Sequence, residues 1–119
     1  MPIEWAATQN EYGAALLRLA ELENDPIILK EAIAALEAAL LERTRDRRLL
    51  QWAATQSNLG AAWLRLAEFE AGTARLEEAV AAYRSALEAY EEASVPHAAK
   101  TARAKLMAAE ARLKAVAGS

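Results

Sequence analysis

The chain has 119 residues, 55 % of them hydrophobic and 26 % charged, with four glycines, three prolines and a formal net charge of −3. That supplies the core of one ordinary domain, and scarce Gly and Pro beside abundant alanine favour close-packed helices over strands or disorder. The lack of cysteine excludes disulfide and thiol chemistry, and the mildly acidic balance gives no basis for general nucleic-acid binding.

The opening "MPIEWAATQ" lacks the basic and then apolar pattern of a secretory signal. No apolar run approaches the roughly 18 residues of a membrane span, so a cytoplasmic location and no membrane partner are expected. A first helix is predicted from Tyr12, Leu16 and Leu19, which recur at helical spacing and form a stripe narrow enough to face a neighbouring helix. Asp25 and Pro26 mark the break after it. The aspartate can accept orphan backbone amides, and proline at the first helical position has no amide to satisfy. Leu29, Ile33, Leu36 and Leu40 then define a second helix, and "RTRDRR", Arg43 to Arg48, joins it to the next. Leu59, Trp63 and Leu66 carry the stripe of a third helix. Gly72 is expected to relax its end and Thr73 to cap a fourth, whose stripe is Leu76, Val80, Tyr83 and Leu87. Ser94 is expected to cap a fifth helix running to about Ala117, with Pro96 inside its first turn.

These elements are copies of one another. Residues 5–51 aligned without gaps on 52–98 give 21 identities, among them "WAATQ" (Trp5 to Gln9, Trp52 to Gln56) and "LRLAE" (Leu17 to Glu21, Leu64 to Glu68). The fifth helix, 95–117, is a modified third copy of the first. Leu106 and Leu113 keep the stripe, Met107 replaces the glycine of Gly13 and Gly60, and Glu110 replaces Leu16 and Trp63. A helix that receives no further helix has no use for the close approach glycine permits, so the fifth is expected to be a terminal cap.

A helix-turn-helix repeat of this kind resembles the tetratricopeptide repeat family. Leu59, Gly60 and Trp63, then Ala79, Tyr83 and Ala86, fall on the motif positions of the second repeat. Tyr12, Gly13 and Leu16, then Ala32, Leu36 and Ala39, fall on those of the first. Gln9 and Gln56 stand where the motif has tryptophan, the closing proline is absent, and the period of 47 (52 − 5) exceeds the common form of about 34. The resemblance therefore implies the long-repeat variant. It implies an all-α fold in one domain, 1–119: antiparallel helix pairs stacked as a short right-handed solenoid of two repeats plus a C-terminal capping helix, five helices in all.

Most conspicuous residues have a packing explanation. Gly13 and Gly60 are expected to admit the facing helix at the Ala32 and Ala79 surfaces, and Trp5, Trp52 and Trp63 to anchor successive helices. His97, the only histidine, sits beside Pro96 at a helix start and is expected at the surface. With one histidine, no cysteine, no glycine-rich phosphate loop and no acid–base constellation, no catalytic residue, metal site or cofactor is expected.

One constellation remains. Arg18, Arg65 and Arg112 share one place on the first, third and fifth helices. The resemblance implies that this place faces the concave groove of the solenoid, with Asn10, Ala14 and Leu17, then Ser57, Asn58, Ala61 and Leu64, then Ala104, Ala108 and Ala111. Three guanidiniums with space between them suit the carboxylates of an extended peptide or a chain terminus. The competing reading is that each arginine pairs with a nearby glutamate, such as Glu21 or Glu68. Two functions follow: a non-catalytic scaffold that binds an acidic protein segment, or a module that self-associates as a homodimer. Residues 1–46 carry nine acids and four bases, and residues 97–119 carry one acid and five bases, so the two ends of the chain are electrostatically complementary.

Overall fold

The structure, a computed structural model, describes residues 3–42 and 48–118, with side chains from Thr8 onward in the first helix. It is all-helical among those residues: α1 (Ile3–Glu23), α2 (Pro26–Glu42), α3 (Leu49–Leu66), α4 (Ala74–Glu92) and α5 (Pro96–Ala117), with one 3₁₀ turn, Ala67–Phe69, after α3. The Arg43–Arg48 joint falls outside the described residues except for Arg48, and so does the Trp5 side chain. Each helix packs chiefly on its neighbours in the chain, and α1 also touches α3. The molecule measures 43 × 31 × 20 Å, about two helix diameters at its thinnest.

The breaks explain why the helices stop where they do. At the end of α1, Asn24 takes the left-handed conformation with φ 54°, which lets the Asp25 amide donate back to the Ala20 carbonyl at 3.3 Å. The Asp25 carboxylate then accepts from the Ile27 amide at 2.9 Å, and Pro26 opens α2, as the sequence predicts. Repeat two solves the same problem differently. Ala71 stands in place of Asn24 and lacks the short polar side chain that makes the left-handed region accessible, so the positive φ, 89°, moves one residue on to Gly72. The α-helix accordingly gives way at Leu66, four residues earlier than its first copy. Arg75 secures this looser turn through an ion pair with Glu70 at 3.1 Å.

Two cap assignments need correction. Thr73 does occupy the position before α4, but its hydroxyl donates to the Glu77 carboxylate at 3.1 Å and caps no backbone amide. Ser94 terminates α4 and leaves the position before α5 to Val95. With Ser94 at φ 57°, its amide donates to the Glu91 carbonyl at 3.1 Å and that of Val95 to the Tyr90 carbonyl at 3.0 Å, the paired bonds of a Schellman stop. Serine fills a place that glycine takes at lower cost.

Both mid-helix glycines are contact points between helices. A Cβ on Gly13 would stand 2.6 Å from Leu36 Cγ and 3.2 Å from the Ala32 carbonyl. One on Gly60 would stand 2.8 Å from the ring of Tyr83, which takes the place of the expected Ala79 surface. The main core joins Leu17, Ala20, Leu29, Ala32, Ile33 and Leu36 of the first repeat to Leu59, Ala62 and Leu66 of α3. A second cluster, Val80, Tyr83, Leu106 and Ala109, seats α5. Burial pushes the Tyr83 phenol up to about 12, with the Glu21 carboxylate adding to the shift, and burial also raises that of Tyr90.

The expected stripe of α1 is displaced. Leu59 and Leu66 are buried in α3, yet their counterparts Tyr12 and Leu19 are 52 % and 42 % exposed. The buried line of α1 runs instead through Gly13, Leu17 and Ala20, which face α2 and α3. The reason lies in the order of packing. The face that α3 turns to α2 is the face that α1 would turn to a helix ahead of it, and no described helix of this chain lies there.

Candidate interaction surface

The three arginines lie on exposed positions of α1, α3 and α5. Their surroundings differ. Arg65 holds two carboxylates, that of Glu21 from α1 at 2.9 Å and that of Glu68 one turn on at 3.6 Å. For this residue the ion-pair reading therefore describes the geometry. Such exposed pairs contribute about 1 kcal/mol or less. Among the described residues no carboxylate lies within ion-pair distance of Arg18 or Arg112.

The remaining groove residues are largely engaged in holding the helices together. Asn10 accepts the hydroxyl proton of Thr55 at 2.8 Å, a bond that ties α1 to α3 through a fully buried threonine. Leu17, expected at the groove surface, is buried in the main core, on the side of α1 that meets α2 and α3. Leu64, its copy, is half-buried against the cluster that seats α5. Asn58 and Ser57 are half-buried, while Ala104, Ala108 and Ala111 lie exposed on α5. The line through Asn10, Leu17 and Leu64 is thus a seam between helices, and the arginines stand along its outer edge.

A second concavity escaped the sequence reading. Between α2 and α4 lie two shallow, adjoining cavities of about 350 and 280 Å³, both lined by Glu37 and Trp63. Arg75 stands over the indole with its guanidinium carbon 5.2 Å from the ring centroid, so a cation already occupies one side of the aromatic. Lys30 and Arg75 are balanced on the rim by Glu37 and Glu78, which gives this groove no sign preference. Trp63 is half-buried at the floor between α2 and α4, a placement that periodicity within one helix cannot reveal. A third cavity, about 470 Å³ and open, sits at the corner between α4 and α5 beside Tyr90 and Val95.

The fifth helix behaves as its substitutions suggest. Met107, at the glycine position, is 62 % exposed, and Glu110 reaches back to Arg84 of α4 at 2.9 Å. His97 is exposed. Among the described residues no group of three metal-ligating side chains converges, and no helix is long and apolar enough to cross a membrane. Compared with protein-family models, with curated proteins and with solved structures, the chain matches none.

Proposed function

We propose that the chain is a non-catalytic protein-interaction scaffold, a short right-handed solenoid of the tetratricopeptide type that binds an acidic protein segment along its arginine row. The two copies of one helix pair, joined by glycine contacts at equivalent positions, support the architecture. The observation that carries the ligand class is the environment of Arg65. Its guanidinium already gathers one carboxylate from its own helix and one from α1, so a side chain at this register is reachable by carboxylates presented from a neighbouring element. Arg18 and Arg112 offer the same group at the two ends of the row.

The test is to replace Arg18 and Arg112 with glutamate while Arg65 is kept. Circular dichroism confirms the helical content, and fluorescence anisotropy measures binding to a library of acidic peptides. Loss of two charge-assisted contacts should weaken binding by about tenfold or more. Unchanged binding removes the arginine row from the function.

A further inference from the structure

We infer that the acidic partner is a second copy of this chain, docked head to tail, with the outer face of α1 in one copy lying on the outer face of α5 in another. The inference goes beyond the scaffold reading: it keeps the acidic character of the partner and shares Arg112 with the arginine row, but places the contact on the outer face of α5. It begins from register. Tyr12, Ala15 and Leu19 of α1 repeat Leu59, Ala62 and Leu66 of α3, which are 4 %, 0 % and 1 % exposed because they pack into the main core. The α1 copies of those residues have the same helical spacing and lie open, extended by Leu22 at 84 % exposure. The same face of the repeat is thus an interface within the chain at α3 and an uncovered apolar surface at α1.

Charge selects the occupant. Four carboxylates and one arginine fall within α1, whereas α5 carries five Lys and Arg against one carboxylate, Glu110. That carboxylate is held by Arg84, and Arg103 is held by Glu91, so the cations that α5 presents outward are chiefly Lys100, Lys105, Arg112 and Lys114. Lys100 and Lys114 lie two turns before and after the exposed Met107 along one edge of the outer face, and Lys105 and Arg112 form the opposite edge. The exposed Ala104, Ala108 and Ala111 leave an uncharged line between the two edges. On α1, Glu11 and Glu23 flank the apolar face in the same manner. An α1-to-α1 dimer would set acid against acid, and an α5-to-α5 dimer base against base. Only the head-to-tail arrangement covers the apolar face with opposite charge. Met107 also decides the manner of contact. It blocks the close approach that Gly13 and Gly60 grant to α2 and α4, so α5 receives a helix that lies across its surface rather than one seated against its backbone. Because the two faces are different, the contact does not close on itself, and copies add in a row.

Two variants separate the faces. Tyr12→Lys with Leu19→Lys disables the head, and Lys105→Glu with Arg112→Glu disables the tail; all four positions are exposed, and thermal melts confirm that both fold. In light scattering at low salt, the unmodified chain should rise with concentration past twice its 12.9 kDa mass and fall back as salt is added. Each variant alone should remain a monomer. Their equimolar mixture should stop at a one-to-one dimer, since it contains one intact head and one intact tail. A wild-type chain that is folded and monomeric throughout overturns the inference, as does a mixture that fails to pair. Acidic-peptide binding by such a monomer would leave the scaffold reading standing, and self-association without peptide binding would do the reverse.

Discussion

Glycine 60 and serine 94 show how much of the stability rests on single backbone positions. A methyl group at Gly60 would meet the ring of Tyr83, which is 3 % exposed and cannot swing aside. The Gly60→Ala variant gains helix propensity of about 1 kcal/mol but loses more by overpacking, and a net destabilisation of about 1–2 kcal/mol in urea titrations is expected. Ser94 presents the opposite case. Its φ of 57° costs a side-chain-bearing residue about 1 kcal/mol or more, so Ser94→Gly should raise the unfolding midpoint, with a gain of roughly 0.5–1 kcal/mol. Tyr83 sets an alkaline limit. Its phenol keeps its proton in the folded state up to about 12, while the unfolded chain releases it near 10.0. The folded form binds the extra proton across that interval, so stability is full below the lower value and declines as pH rises through the upper one. At about 1.4 kcal/mol per unit the decline attributable to this group is roughly 2–3 kcal/mol. Chemical unfolding at stepped pH should show Tyr83→Phe losing less stability than the parent across that window.

At the scale of elements, the turns reveal what a repeat alignment hides. The copies "LRLAE" are identical, yet the first stays helical to Glu23 and the second changes to a 3₁₀ turn after Leu66. What differs lies downstream, where Asn24, Asp25 and Pro26 face Ala71, Gly72 and Thr73. The aspartate cap was legible because its chemistry is local, an oxygen two residues before the amide it accepts. Asp25→Ala should therefore cost about 1 kcal/mol, measured as a lower midpoint in thermal or urea unfolding. Ser94 is ambiguous in the sequence because serine suits the start of one helix and, here, serves the end of another. Sequence spacing alone does not rank those roles when only one residue separates them. The α1 stripe was misplaced for a related reason. Tyr12, Leu16 and Leu19 and the line through Leu17 and Ala20 are both helical in period, and only the position of the neighbouring helices decides which is covered.

For the whole molecule, the all-helical class, the element order and the use of Gly13 and Gly60 as helix contacts were readable from the chain because a duplicated pattern reports on itself twice, whereas the partner that Gly60 meets is Tyr83 and not Ala79. The candidate surface was readable only in part. Arg18, Arg65 and Arg112 share one register by arithmetic, but the capture of Glu21 by Arg65 joins α1 to α3, and no spacing within a single helix encodes it. The groove floored by Trp63 required the angle between α2 and α4, and that angle is a product of the packing. Salt offers a check at this scale. Since the ion pairs that bridge helices are exposed, the monomer's unfolding free energy should change by less than about 1 kcal/mol between low and high salt, whereas self-association should weaken markedly.

Packing between chain neighbours also has a mechanical side. Among the described residues every extensive interface joins elements that follow one another along the backbone, and none clamps the first helix to the last. A molecule held by its two ends and stretched would present no shear lock that must break all at once. It should instead yield in a series of small extensions, with α5 or α1 peeling away first and the inner helices following in turn.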